Sequence, residues 1–516
     1  MVHGRIGARQ PSSEWTDKVI QPSELVDRLH DFVTSPPDRD FVESGGRWWR
    51  ASDVAAVARG IEGLLEGAGV PRDTAIGVVV RNHVEPAAAL IGLIAAGRPV
   101  TMIQSQQASS LIAGHVRTLE LAVVIAEESD WGEDLRLCLE EGRLGIVLPP
   151  LLGGPRLAAP VGALMLQPRR HDQTVVEVLT SGTTGPPKHI ALGLAALIRG
   201  VAMLTLGGKI EGEKQVDILF APLTSIGGIL PLMAYPVIGA GFCLLERFDV
   251  DRWVEAIQRH RPKSIGSTPV IIRSVLQKGV PREALSSLEI VYGGAGPLEA
   301  EARQQFAEYY NVDLCWGYGA TEFAGVLATW TPQLKKELGG DKPGSVGRPL
   351  PGISVRITDI ESGKELATGQ EGRLEAKVPG VSEDWLRTND LSKIDDDGIL
   401  YILGRIDGAI NRGGFKVLPE VVADALRRHS SVKDAGVIGM PEPRLGEVPV
   451  AAVELTRAGD PVTGEELRAF TRQHLSSPCV PVEVLVVEAL PRNGMMKVDL
   501  AALRRLFDSV QQKDSA

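Results

Sequence analysis

The sequence predicts an α/β protein: a large N-terminal region of α/β sheets plus a β-rich subdomain, closed by a small mobile C-terminal α+β domain. Three observations predict it. The chain has 516 residues, too many for one compact core and enough for about three folding units. Apolar runs of strand length alternate with amphipathic helical stretches through most of it. The texture then changes at Ser345 to short strands broken by glycine turns.

The elements follow in order. Thr74 to Arg81 (TAIGVVVR) reads as a buried strand, and Pro86 to Gly97 as the helix after it; Lys263 to Ser267 and Pro269 to Gln277 repeat the pair, a rhythm of parallel strands with crossover helices. Ile226 to Leu245 is twenty residues without a charge, long enough to span a bilayer. Gly227, Gly228, Pro231, Pro236, Gly239 and Gly241 would break a lone spanning helix, so a buried helix, a turn and a core strand are expected instead. The β-rich subdomain covers 345–404 and ends on DDDGILYILGR, with a charged turn at Asp395 to Gly398. The N-terminal domain is read as 1–404, a hinge as 405–407, and the terminal α+β domain as 408–516, with helices at Pro419 to His429 and Gly464 to Leu475.

Composition narrows the function. Hydrophobic residues at 44% and charged residues at 23%, with a mean hydropathy of +0.03, exclude a largely disordered or polytopic membrane chain. The net charge of −10 and the lack of a dense Lys/Arg cluster argue against a nucleic acid partner. Cys138, Cys243, Cys315 and Cys479 form no CxxC pair, which disfavours a zinc knuckle or a disulfide framework and fits a reducing cytoplasm. The polar N-terminus carries no apolar stretch of the kind a secretory signal needs.

The chemistry concentrates in short motifs. In VEVLTSGTTGPPKHI, Thr180, Ser181, Thr183 and Thr184 offer hydroxyls, Gly182 and Gly185 let backbone N–H groups approach, and Lys188 adds a charge. Such a loop suits a polyphosphate, although alone it reads first as an ordinary surface turn. It is not the GxxxxGK[ST] pattern, since its lysine lies beyond Pro186 and Pro187. YGGAGPL at Tyr292, WGYGATE at Trp316, GSVGRPLPG at Gly344, LRTNDL at Leu386, GRIDGAINRGGFKVLPEVV from Gly404 and LPRNGMMKVD from Leu490 follow in order.

Taken together, these motifs resemble those of the adenylate-forming superfamily, which includes acyl- and aryl-CoA ligases, stand-alone amino-acid adenylation domains and beetle luciferases. The resemblance implies a two-step reaction using ATP, Mg²⁺ and coenzyme A: a carboxylate attacks the α-phosphate to give an acyl adenylate, and a thiol then displaces AMP. It implies that Thr321 contacts the α-phosphate and Glu322 holds Mg²⁺, an oxygen ligand for a hard cation; read alone, the pair is a helix cap. It implies that Asp390 and Arg405 hold the ribose with Ile402 nearby, and that Gly294, Ala295, Gly296 and Pro297 with Tyr318, Gly319 and Ala320 flank adenine. By the same resemblance Lys497 bridges the substrate carboxylate and the α-phosphate, Asp407 is the hinge, and Gly413 and Gly414 lie along the thiol arm.

Three positions depart from the family pattern: His189, Asn389 and Met496 stand where glycine is usual. Asn tolerates left-handed backbone angles, whereas His189 sets an imidazole near the triphosphate and Met496 stiffens the lysine loop. Ser225 replaces the His or aromatic residue that many CoA ligases carry at the mouth of the acyl pocket, and Gly227, Gly228, Gly293, Gly294 and Gly317 read as a roomy pocket for a bulky acid. No Asp in Ala221 to Leu230 awaits a substrate ammonium, so an acid without an α-amino group is expected. The leading expectation is a cytoplasmic acid:CoA ligase. The alternatives are a ligase weak in adenylation that works on an acyl adenylate supplied by a partner enzyme, and an adenylation enzyme that loads a carrier protein.

Overall fold

The computed structural model describes residues 22–105, 109–159, 169–170, 174–180, 188–205, 216–406, 408–412, 415–442, 444–457, 461–493 and 496–514. The first α/β layer is a seven-stranded sheet. Its centre is Ile76–Val80, flanked by Val100–Gln104 and Val123–Glu127, both parallel to it. Every residue of Ile76–Val80 is buried, as expected of a strand covered on both faces. The helix Val84–Ala95 that covers it is buried all round, and Gly92 lets it pack closely: a Cβ there would lie 2.5 Å from that of Ala58 in the helix Ala51–Gly67. At one edge Thr174–Thr180 pairs antiparallel with Lys188–Gly193.

The uncharged segment resolves as the sequence predicts. Ile226–Ile238 is a buried helix, Gly239 caps it in the left-handed conformation (φ 72°), and Gly241–Leu244 is a core strand. That strand lies between Val216–Leu219 and Asp40–Ser44 in a four-stranded sheet.

A five-stranded sheet carries the central motifs. Asp313–Ala320 runs parallel to Ile290–Gly293 and antiparallel to Gly325–Thr329. Trp316 is 1% exposed, its ring fills the place a Cβ on Gly293 would take, 2.0 Å away, and its Nε1 donates to Gly296 O at 3.2 Å. The β-rich subdomain is an antiparallel sheet of Ser354–Thr358, Gly372–Val378, Ser382–Ile394 and Leu400–Arg405.

The C-terminal layer is built on the hairpin Val432–Glu442 and Gly446–Leu455; the free edge of the second strand pairs with Glu483–Val487, parallel, and with Ile410–Arg412, antiparallel. Helices Pro419–Arg427, Gly464–His474 and Leu500–Asp514 pack on it. Thr463 and Glu466 form a capping box at the second of these. Cys138, Cys243 and Cys315 are buried free thiols, and Cys479 is half-buried.

The glycines divide by what their missing side chains accommodate. Gly293→Ala drives a methyl into a fixed indole and is expected to destabilise the protein by about 1–3 kcal/mol. Gly227→Ala, whose Cβ would meet nothing closer than 3.7 Å, should change stability by no more than ~0.5 kcal/mol. Denaturant unfolding of the two variants checks the contrast.

Candidate active site

A cavity of about 1860 Å³ opens between the large N-terminal region and the C-terminal layer. Gly293 to Pro297 line it from the loop after Ile290–Gly293, and Gly317, Tyr318, Gly319 and Thr321 from the end of Asp313–Ala320. Two local choices shape this wall. Ala295 takes a left-handed backbone (φ 66°), and Trp316 pins the next carbonyl. Gly319 has no room for a side chain, since a Cβ would lie 2.3 Å from Gly325 O. Thr321 opens the turn Thr321–Phe323, but the cap position is Ala320 and no side chain caps it. The Thr321 hydroxyl therefore does not act as a helix cap.

The hairpin of the β-rich subdomain explains the spacing of the charged pair. Its register sets Asp390 opposite Arg405, with Arg405 Nη1 3.9 Å from Asp390 Oδ1. The Tyr318 hydroxyl donates to Asp390 Oδ2, which joins the sheet of the central motifs to this subdomain. Burial first, and then the Asp390 carboxylate, raise the Tyr318 phenol well above its ordinary range and keep it protonated as the donor.

Lys497 and Arg405 reach the same cavity from the far side. Lys497 sits in a tight turn closed by an Arg492–Val498 bridge. Asn493 N–H donates to Lys497 O at 2.9 Å, and Lys497 N–H donates to Asn493 Oδ1 at 3.1 Å. The side chain is accessible from the cavity, yet the surrounding walls desolvate it. That burial first, and the Arg405 charge second, lower its ammonium pKa, with Asp390 opposing them.

The departures resolve differently. Met496 holds a left-handed backbone (φ 61°) next to the lysine, a conformation that disfavours a long side chain. Asn389 does not use the left-handed tolerance expected of it: it lies within the extended strand Ser382–Ile394, and its Oδ1 accepts from Arg373 Nη1 at 2.9 Å. His189 pairs with Leu179 in the edge hairpin. Thr180 and Lys188 face each other across the same hairpin, so the phosphate-type loop leaves from that pair. Ser181, Gly182, Thr183, Thr184 and Gly185, like Asp407, Gly413 and Gly414, lie outside the described residues.

Some expected residues stand apart from the cavity wall. Gly228 packs on the chain, where a Cβ would lie 2.2 Å from Pro222 O, so it serves packing, whereas Gly293 lines the cavity and its missing Cβ makes way for the Trp316 ring. Ser225 and Gly227 do line the cavity, and the Ser225 hydroxyl donates to Pro222 O at 2.7 Å. Ile402 pairs with Ser392 and packs on the neighbouring core, and Ala320 and Asp390 lie just behind the lining residues. Glu322 is exposed beside Thr321. Together they present a hydroxyl and a carboxylate, a donor set that fits a hard divalent cation. Among the described residues two other clusters hold metal-type ligands: Glu43, Cys243 and His260, and His83, Glu85 and Glu127. In each an arginine already faces a carboxylate, Arg259 to Glu43 at 2.6 Å and Arg81 to Glu127 at 2.8 Å.

The fold and this two-sided cavity define an α/β enzyme whose pocket lies between a large N-terminal region and a smaller C-terminal layer. The model of the AMP-binding enzyme family matches residues 29–385, and that of the AMP-binding enzyme C-terminal domain matches 422–497. The chain belongs to this family, within the adenylate-forming superfamily of ATP-dependent acyl- and aryl-CoA ligases that its motifs resemble. It is 30% identical to a 4-coumarate–CoA ligase-like protein of Oryza sativa subsp. japonica, over 78% of this chain and 71% of that one. It is 25% identical to a 2-succinylbenzoate–CoA ligase of Bacillus pumilus, over 94% and 98%. Its fold matches that of o-succinylbenzoate CoA synthetase from Bacillus subtilis in complex with an acyl-adenylate intermediate, with a TM-score of 0.77 at 22% identity, covering 94% of this chain and 98% of that one.

Cavity-lining positions such as Gly200, Met203 and Leu204 carry no motif and were not legible in the sequence. The Arg405 charge beside Lys497 generates a pH prediction. Because Arg405 holds the ammonium pKa down, the first half-reaction should fall on an alkaline limb below the ordinary lysine range. In Arg405→Gln that limb should move to higher pH, whatever the rate at its plateau; a pH–rate profile of pyrophosphate exchange reads its position.

Proposed function

We propose that the protein is an acid:CoA ligase that activates a carboxylic acid without an α-amino group as its acyl adenylate and passes the acyl group to coenzyme A. The observation that carries this reading is the convergence of Thr321, Tyr318, Arg405 and Lys497 on one cavity, with Asp390 joined to Tyr318 and Arg405 behind that wall. In the first step a substrate carboxylate oxygen bonds to the α-phosphorus of ATP, and the α–β anhydride bond breaks to release pyrophosphate. Lys497 sets its charge where negative oxygens crowd together, and Thr321 donates to the same phosphate. A Mg²⁺ ion held at Thr321 and Glu322 would neutralise phosphate charge. Asp390 accepts from the ribose hydroxyls, and Tyr318 and Arg405 fix its carboxylate in place for them. In the second step the thiol sulfur bonds to the acyl carbon, the bond to the AMP oxygen breaks, and the thiol proton passes to water.

The acyl body is read as largely apolar. Gly227, Leu230 and Val326 line that part of the cavity, and Leu230 lies against Gly200 and Gly325. Residues 1–404, 405–407 and 408–516 serve as the large domain, hinge and small domain of a cytoplasmic enzyme; among the described residues no helix is long and apolar enough to cross a membrane.

Lys497→Ala is expected to slow acyl-adenylate formation by roughly 10² while leaving thioester formation from supplied acyl adenylate much less affected. Pyrophosphate exchange across a panel of acids measures the first step. Equal loss in both steps contradicts the assignment.

The left-handed Met496 favours a second reading, a ligase whose adenylation step is slow and which depends on a partner for acyl adenylate. Met496→Gly relieves backbone strain of about 1 kcal/mol, and under this reading it raises the adenylation rate by roughly 5-fold without helping the thiol step. Brisk release of AMP and pyrophosphate by the unaltered protein with an acid of the panel removes the second reading.

A further inference from the structure

A chain of charged side chains runs from the large domain to the lysine turn. Arg273, on the helix Pro269–Lys278, grips Glu299 with two hydrogen bonds, at 3.1 and 2.8 Å. Glu299 faces Arg427, at the end of the helix Pro419–Arg427 in the small domain, at 3.7 Å. Arg427 Nε holds Asp434 Oδ1 at 2.9 Å, and the other oxygen of Asp434 accepts from Arg492 Nη2 at 2.7 Å. Arg492 Nη1 in turn donates to Met496 O at 3.1 Å, one residue from Lys497. Little of these side chains meets solvent: Asp434 is 7% exposed and Arg427 13%. Burial alone would raise the Asp434 carboxyl, but Arg427, Arg273 and Arg492 outweigh it and hold it at about 2.

The links are unequal. Within each domain the links of the chain from Arg273 to Met496, with the Arg427–Asp424 branch, are hydrogen bonds of 2.6 to 3.1 Å, and the Arg492–Glu454 contact beside them is 3.6 Å. The one step that crosses between domains, Glu299 to Arg427, is the longest. Each side is also neutral by itself. Arg273 balances Glu299, while Arg427, Arg492 and Lys433 balance Asp424, Asp434 and Glu454. Parting at the crossing therefore leaves no buried charge without an opposite partner, which is the condition for opening an ion network at low cost.

We infer that Glu299 and Arg427 are positioning residues for Lys497, a releasable latch that holds the small domain and its lysine turn against the nucleotide cavity for adenylation and parts before thioester formation. The inference rests on the two-step ligase reading above. Glu299→Gln keeps the shape and removes the charge. It should slow adenylation by about 5- to 10-fold while leaving thioester formation from supplied acyl adenylate equal or faster. In the Lys497→Ala background the same substitution should have almost no further effect on adenylation, because it acts through the lysine. Amide hydrogen exchange without any substrate gives an independent readout. Arg492 to Val498 should exchange several-fold faster in Glu299→Gln, with the hairpin Val432–Leu455 unchanged, and this holds even if no acid in the panel is activated. Equal slowing of both half-reactions, a full additional loss in the Lys497→Ala background, or unchanged exchange at Arg492 to Val498 overturns the latch.

Discussion

One hairpin register, Asp390 opposite Arg405, sets the geometry on which the rest of the site depends. It brings opposite charges together at the point where the chain leaves the β-rich subdomain, and the Ile406 N–H bond to Asn389 O at 2.6 Å fixes that exit. From one side Tyr318 ties Asp390 to the central sheet. From the other, Arg405 lies close enough to Lys497 to perturb it. A slip of one residue by either strand would turn its charged side chain to the opposite face of the sheet and break up the Asp390–Arg405 pair.

Legibility in the sequence tracks how local each feature is. The helix and strand of Ile226 to Leu245, the hairpin around Asp395 and the helix from Gly464 were readable because their determinants lie within a few residues of one another. The motif positions of the cavity were readable as a set, since Gly293 to Pro297 and Gly317 to Thr321 lie at the ends of adjacent strands of one sheet. What the missing side chain of a glycine serves could not be read. Gly228 and Gly293 look like Gly227 in the sequence, yet two accommodate a carbonyl and an indole while at the third a Cβ would make only ordinary contacts, at 3.7 Å or more. Nor could Asn389 be read, because its carbonyl is taken by the Ile406 N–H and its side chain by Arg373, both distant in sequence. The Arg273 to Arg492 chain draws on residues more than two hundred positions apart, and nothing local to any one of them announces the others.

Strain and order are distributed unevenly around the cavity. The large-domain wall is rigid: Trp316 is buried against a glycine and hydrogen-bonded to Gly296, and Tyr318 is anchored by Asp390. The lysine turn is the reverse, a short loop with a left-handed methionine, held by Asn493 and Arg492. A fixed wall and a strained, tethered loop suit a site in which one part stays in place while the other must leave.

The burial of three cysteines has a consequence for chemical compatibility. Burial raises the thiols of Cys138, Cys243 and Cys315, the last to about 12, so near neutral pH they carry almost no thiolate, the form that attacks disulfides. A protein whose acceptor is itself a thiol works amid that thiol's oxidised dimer, and an accessible thiolate would be capped by it in mixed disulfides. Keeping these sulfurs protonated and out of reach makes the interior of the protein indifferent to the redox state of the acceptor pool, and leaves the half-buried Cys479 as the site where such exchange could begin.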